Sequence, residues 1–336
     1  MKKLIFILII IIKVVKLNAQ SNCLNTVYEA DRLYNKANFN EAVALIEPCL
    51  INGILKEDLF DAYRILALCY QALANESKTD EHIRNMLKVN PDYQKYPNID
   101  PVEFTKKVNT YKVEPVIYAG VFTGFNINGV ILEKSYSAYA ADQLYKPKTG
   151  YQVGAFADYY IFKKFFARTL IGLSRIQFNH YINNAGGWEQ SMTETFGTRN
   201  INTSANVEID LPYKLKALSG IGIGLQRIHS AYVFLESKNK ENGSKQLSTK
   251  NAYDERKINQ WHGMLNLGLE YALGNGYFGI NMQYHPYFQN TIIEDKRMND
   301  LNFIFNNQYV HDDVKLQNIF INFYYRIVLQ NRIKKP

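Results

Sequence analysis

The chain has little proline and little cysteine, nine and three residues in 336. Scarce proline leaves long elements uninterrupted, since each proline removes a ladder donor or breaks a helix. Three cysteines allow one internal disulfide at most, which excludes a small scaffold held mainly by bridges. After the first dozen residues no stretch approaches the ~18 apolar residues that a membrane helix needs. HExxH, a CxxC pair, a phosphate-binding glycine loop and GxSxG are also missing. No catalytic residue, metal ligand or cofactor is therefore assigned. The formal charge of +8 is small for this length and scattered. Without a basic stripe and interleaved aromatics, nucleic acid is not expected as a partner.

Tyrosine and phenylalanine are abundant, 25 and 19 residues. The chain opens MKKLIFILIIIIKVVKLNAQ, with basic Lys2 and Lys3, an apolar run from Leu4 to Ile12 and a cleavage-like LNA ending at Ala19. Residues 1–19 read as a signal peptide, so export is expected. Cys23, Cys49 and Cys69 all fall in the first quarter. That split marks two regimes along the chain.

Residues 22–112 have helical spacing and two related segments. In the second, Tyr63, Leu66, Ala67, Tyr70, Ala74, Leu87 and Pro91 fall in the register of a tetratricopeptide repeat. Small Ala67 and Ala74 let two helices approach, and Tyr63 and Tyr70 line the groove between them. In the first, ANFNEA (37–42) matches the inter-helix turn, while Thr26 and Ile54 depart from the pattern. NIDPVEF then predicts a closing helix, with Asp100 as its cap, Pro101 in first position and Glu103 completing a capping box. Antiparallel packing of the first two helices would bring Cys23 near Cys49. Either that pair forms a bridge or all three thiols stay unpaired.

From residue 114 to 328 the period changes to two. NVEIDL (206–211) alternates Asn206, Glu208 and Asp210 with Val207, Ile209 and Leu211. Seven other segments repeat the pattern, at 116–127, 151–161, 166–176, 218–228, 261–273, 277–285 and 317–327. Each has the ten or so residues that a tilted strand needs to cross a bilayer. Short links FKK, YKLKA and GNG alternate with long polar ones near 128–150, 177–199, 229–259 and 286–315. Such sorting fits a transmembrane barrel with tight turns at one end and long loops at the other.

Ten aromatics beside the short turns or at the last strand's end would form an interfacial girdle: Tyr159, Phe162, Phe165, Phe166, Tyr213, Tyr271, Tyr277, Phe278, Tyr324 and Tyr325. The apolar faces would meet lipid. Asp158, Arg168, Glu208, Asp210, Glu270 and Arg326 would gather in the lumen, because unpaired charges in a narrow interior are costly. The fold class is thus α+β and multidomain, with N-terminal tetratricopeptide-like helices followed by an eight-stranded antiparallel barrel. Residues 329–336 form a short basic tail.

The signal sequence running into NAQ, the short repeat domain, the DPVEF helix and the glycine-rich VIYAGVFTGFNING resemble the outer-membrane β-barrel proteins of Bacteroidota, and are similar to the PorT-like group. The tail after Tyr325 departs from the usual aromatic terminus. The resemblance implies an outer-membrane protein with its N-terminal domain in the periplasm, in a group some of whose members serve type IX secretion. Two functions stand. One is a non-enzymatic anchor in outer-membrane lipid whose repeats bind a periplasmic or outer-membrane protein. The other is a small barrel hydrolase or acyltransferase acting on lipid or surface polymer through His262 or His285.

Overall fold

The computed structural model describes residues 25–335, apart from 53, 56, 94–99, 137–142, 186, 275 and 308. Residues 1–19 and Cys23 lie outside the described residues. The chain divides into two compact units, Met1–Pro115 with Gln330–Pro336, and Val116–Leu329. Among the described residues no helix is long and apolar enough to cross a membrane.

The first unit contains α1 (25–35), α2 (Phe39–Asn52), α3 (Leu59–Ala72), α4 (Glu76–Val89) and α5 (Val102–Val108). Helix α3 places Ala62, Ile65, Leu66 and Cys69 on one buried face, against Val27 and Ala30 of α1 and Ala42 and Ile46 of α2. Alanines in all three helices keep the axes close, so the branched side chains interlock. Its other side, through Ala67 and Leu68, meets Ile83, Met86 and Leu87 of α4 and Phe104 and Val108 of α5. Asn75 caps α4, accepting from the Lys78 backbone N–H at 3.2 Å.

Helix α5 forms where expected, but Asp100 does not cap it. Pro101 holds the cap position with no side-chain bond. Asp100 instead accepts from Arg64 Nε at 2.8 Å and from the Tyr93 hydroxyl. A charge-assisted pair to a half-buried guanidinium outcompetes a cap on an exposed first turn. The basic tail expected over 329–336 is instead strand as far as Lys334. There Ile333 packs against the α4–α5 cluster, and Lys335 pairs with Asp80.

The second unit is a closed barrel. Its strands are β1 (Lys112–Lys134), β2 (Gln143–Phe162), β3 (Phe165–Ala185), β4 (Trp188–Asp210), β5 (Leu215–Asn239), β6 (Lys245–Asn251), β7 (Asn259–Leu273), β8 (Gly276–Asn290) and β9 (Asp313–Lys334). Their order is β4-β3-β2-β1-β9-β8-β7-β5, and a β4–β5 ladder closes the ring of eight. Strand β6 is a ninth, outside that ring. It pairs with Tyr232–Lys238 of β5, while Leu215–Arg227 of the same strand pair with β7. Closure leaves no sheet edge in the lower ring, the half that carries the short turns.

The long links expected near 128–150, 177–199 and 229–259 are corrected, because most of their residues are strand, whereas 286–315 is mainly connecting chain between Asn290 and Asp313. β3 and β4 pair continuously up to Ile182↔Gln190, and only residues 186 and 187 separate the two strands. The side-chain period of two never breaks there, but the chemistry of the two faces exchanges. Along β3 the outward face runs Thr169, Ile171 and Leu173, then Arg175, Gln177 and Asn179. The inward face runs Arg168 and Ser174, then Ile176, Phe178 and Ile182. The barrel therefore has a lower storey with an apolar exterior and a filling in which charged and amide groups mix with aromatic side chains such as Phe122, Phe156 and Phe166. Its upper storey has a more polar exterior, broken by exposed Tyr232, Phe234 and Leu247, and a largely apolar core. That core contains Ile176, Phe178, Phe196 and Ile228, and above them Ile182, Met192, Val233 and Phe303. A short helix, α6 (Leu301–Asn307), supplies Phe303.

Candidate functional site

Cross-strand register assembles the lower filling. Asp158 on β2 lies opposite Arg168 on β3, and Lys216 on β5 lies opposite Glu270 on β7. Arg168 grips Asp158 with two bonds, Nε to Oδ1 at 2.6 Å and Nη2 to Oδ2 at 2.8 Å. Arg326, from β9, donates to Asp158 Oδ2 at 2.9 Å, to the Tyr160 hydroxyl at 2.9 Å and to Glu208 Oε2 at 3.0 Å, and also pairs with Glu270. Lys216 pairs with Glu208, and the Tyr324 hydroxyl donates to Glu270 Oε1 at 2.7 Å. Three carboxylates thus face three cations. Arg326 and Asp158 are both completely buried, and the Arg326 guanidinium lies 4.4 Å over the Tyr118 ring.

Five of the six charged residues expected in the lumen meet here. Asp210 does not, a correction: it stands at the end of β4, 65% exposed, 3.8 Å from Lys164. Alternation assigns a face, but at the last residue of a strand the turn is wet and neither face is enclosed. Lys216 and Tyr160 join the cluster although sequence reasoning passed over them, and Tyr324, expected on the girdle, joins it as well. Of the ten aromatics expected on an outer girdle, Phe166 and Tyr324 point inward and are buried, and Tyr277 packs inside against Tyr118.

Above the charges lies a layer of amides. Asn266 donates to Asn206 at 3.0 Å and Asn322 to Asn281 at 2.9 Å. His262 and His285 both face this layer and stack on each other, ring centroids 4.5 Å apart. The His262 Nε2 lies 3.1 Å from Asn202 Oδ1, and His285 Nε2 lies 3.2 Å from Gln283 Oε1. Gly224 makes room for this pair, since a Cβ there would come within 2.3 Å of the His262 ring. The upper core encloses a second ionic group. Arg256 pairs with Glu194, and His311 Nε2 lies 3.1 Å from Glu255 Oε2, which Lys250 also neutralises. Glu194, Arg256 and His311 carried no sequence signal, because they converge from β4 and two connecting segments.

In the helical unit, Tyr63 and Tyr70 both lie against His82 of α4. Tyr70 stacks on it at 5.4 Å, and Tyr63 is tilted at 6.1 Å. Both tyrosines are half-buried, and the Tyr70 hydroxyl donates to Glu47 at 2.6 Å. His82 is buried, and burial lowers its pKa. Cys49 is disulfide-bonded. Cys69 is a buried free thiol, pushed up to about 12 by burial and hence inert as a nucleophile. Among the described residues no group of three His, Cys, Asp or Glu side chains is arranged to hold a metal ion.

No protein-family model matches the chain, and no curated protein matches it. Among solved structures it is similar to Neisserial surface protein A, at 13% identity and a TM-score of 0.32, covering 63% of this chain and 97% of that one. It is also similar to Ail, the attachment invasion locus protein of Yersinia pestis, at 10% identity and a TM-score of 0.28, covering 64% and 99%. For the outer membrane protein AlkL in lipid bilayers the values are 10% identity, a TM-score of 0.34, and 65% and 92% coverage.

Proposed function

We propose that the chain is an outer-membrane protein whose barrel is a closed, non-enzymatic anchor. Its helical unit, a pair of tetratricopeptide-like repeats in the periplasm, binds a protein partner. The observation that carries this reading is the filled interior. Among the described residues a neutral network of three carboxylates and three cations occupies the lower storey and a packed, largely apolar core the upper one, which supports a plugged barrel over an open channel. The lower exterior supports a lipid setting, with Val121, Ile171, Ile221 and Leu267 each more than half exposed. Such an apolar ring is what a bilayer solvates and water does not.

An even strand count in the ring returns both chain ends to one side of the membrane, which supports a periplasmic helical unit and a β5–β6 hairpin outside the cell. The likeness to PorT-like barrels of Bacteroidota suggests a partner in an envelope assembly or secretion machinery. The alternative hydrolase or acyltransferase would need a serine or carboxylate beside His262 or His285. Their hydrogen-bond partners are the amides Asn202 and Gln283.

A photo-crosslinking residue at Tyr63 tests the reading in living cells. Capture of a discrete partner, lost on Tyr70→Ala while the barrel still shows heat-modifiable migration, is the expected result. An epitope beside Asn242 should be labelled on intact cells, and one beside Asp92 should not. A phenotype that depends on His262 or His285 and survives deletion of the repeats would overturn the anchor reading.

A further inference from the structure

We infer that the outward face of β3, β4 and β5, where the apolar belt ends, is a binding site for the phosphate headgroup of an anionic lipid in the outer leaflet. The inference rests on the membrane reading above. On each of these three neighbouring strands the apolar row stops at an arginine. Ile171 and Leu173 give way to Arg175, Ile201 to Arg199, and Ile221, Ile223 and Leu225 to Arg227.

Register places these arginines together. Leu173, Arg199 and Arg227 lie directly across from one another, and Arg175 is opposite Gly197. Like charges directly opposite on a sheet repel and cost stability. Every ion pair that an arginine makes among the described residues involves Arg32, Arg64, Arg168, Arg256, Arg297 or Arg326. Arg175, Arg199 and Arg227 make none, although the outward cations Lys245 and Lys315 pair with Glu236 and Glu133. The three guanidinium groups are exposed, permanently charged and uncompensated.

The backbone shapes the place. The β4–β5 ladder slips between Gly197 and Thr198, so Ser230 pairs with Gly197, Ile228 pairs with Thr198, and His229 is the extra residue. Bulges re-aim side chains in this way. The His229 ring leans over Gly197, where a Cβ would come within 2.8 Å of Nε2. A hollow opens here, lined by Arg175, Arg199 and His229 together with exposed Tyr151, Val153 and Leu173. Cations beside an apolar floor match a lipid, whose phosphate takes bidentate arginine bonds while its acyl chains lie against the belt. A soluble anion would leave the floor uncovered.

The test is spin-label EPR on the full chain in phosphatidylcholine vesicles, with spin-labelled phosphatidic acid or spin-labelled phosphatidylcholine as probe. Phosphatidic acid should associate at least about fivefold more strongly, and the preference should fall with salt. The triple variant R175Q/R199Q/R227Q should insert normally, by heat-modifiable migration, and lose the preference, while R175K/R199K/R227K keeps part of it. Equal selectivity in the wild type and the glutamine variant overturns the inference alone. So does complete displacement by millimolar inorganic phosphate at constant ionic strength, which would mark a free-anion site. A chain that restricts no lipid at all overturns the membrane reading, and this one with it.

Discussion

Arg326 Nη1 donates to Asp158 Oδ2 at 2.9 Å, joining residues 168 positions apart. Asp158 is on β2 and Arg326 on β9, the two strands that flank β1. The guanidinium also reaches Glu208 of β4 and Glu270 of β7, so one side chain ties together four strands of the ring. Removing it leaves three buried carboxylates against two cations. Arg326→Met should therefore cost about 3–5 kcal/mol, the penalty of an uncompensated buried charge. Asp210→Asn, on an exposed end, should stay within about 0.5 kcal/mol. Urea midpoints of the refolded barrel measure both, and equal losses would show that the network is not enclosed.

Much of that network was legible because strand alternation is local. Asp158, Glu208, Glu270 and Arg326 each sit between apolar or aromatic neighbours, and Arg168 between Ala167 and Thr169, so the face is set by two or three residues. Which solvent that face meets is not local. Phe178 and Ile182 continue the inward row begun by Arg168, yet they read as loop, since an alternating segment looks alike whether its apolar side faces lipid or a core. Phe166 and Tyr324 misled in the same way: aromatics beside turns suit a girdle and an interior equally. Asp100 shows the converse limit, where a distant Arg64 overrode a well-formed capping signature.

The exchange of faces has a direct consequence on β3. Phe178 is fully buried in the upper core, and Gln177 beside it faces outward. Phe178→Ala should destabilise by about 3–5 kcal/mol through the cavity it leaves. Gln177→Glu should be within about 0.5 kcal/mol, as an exposed substitution in water. If the upper strands were loops, neither change would register in thermal melts followed by near-ultraviolet dichroism.

In the lower storey the opposite face is sensitive. Leu267 is 57% exposed on the barrel exterior, between outward Leu265 and Leu269. Leu267→Arg should cost about 2–4 kcal/mol in a bilayer if the site lies near the midplane. In detergent micelles, where the belt is more yielding, the loss should shrink. Asn266→Ser removes the 3.0 Å bond to Asn206 and should cost about 1 kcal/mol in either setting. Folding titrations in lipid vesicles and in micelles separate the two residues, and a loss at Leu267 no larger than at Asn266 would put lipid elsewhere.

The helical unit carries its own pH dependence through His82. The ring is buried against Tyr70, and neither nitrogen has a hydrogen-bond partner among the described residues. Burial lowers its pKa below the ordinary 6.5, and nearby Lys78 adds to this, while Glu81 and Glu47 pull the other way. The unfolded chain takes up a proton near 6.5, and the folded chain only at lower pH. Stability is therefore full above 6.5, declines as pH falls from there to the depressed folded value, and is level below it. His82→Phe keeps a ring against Tyr70 and removes the titration. Hydrogen–deuterium exchange of α3 and α4, corrected for intrinsic rates, should show protection falling between pH 7.5 and 5.0 in the wild type. It should fall markedly less in His82→Phe. Equal losses in the two proteins would assign the acid sensitivity to carboxylate pairs such as Asp100–Arg64 instead.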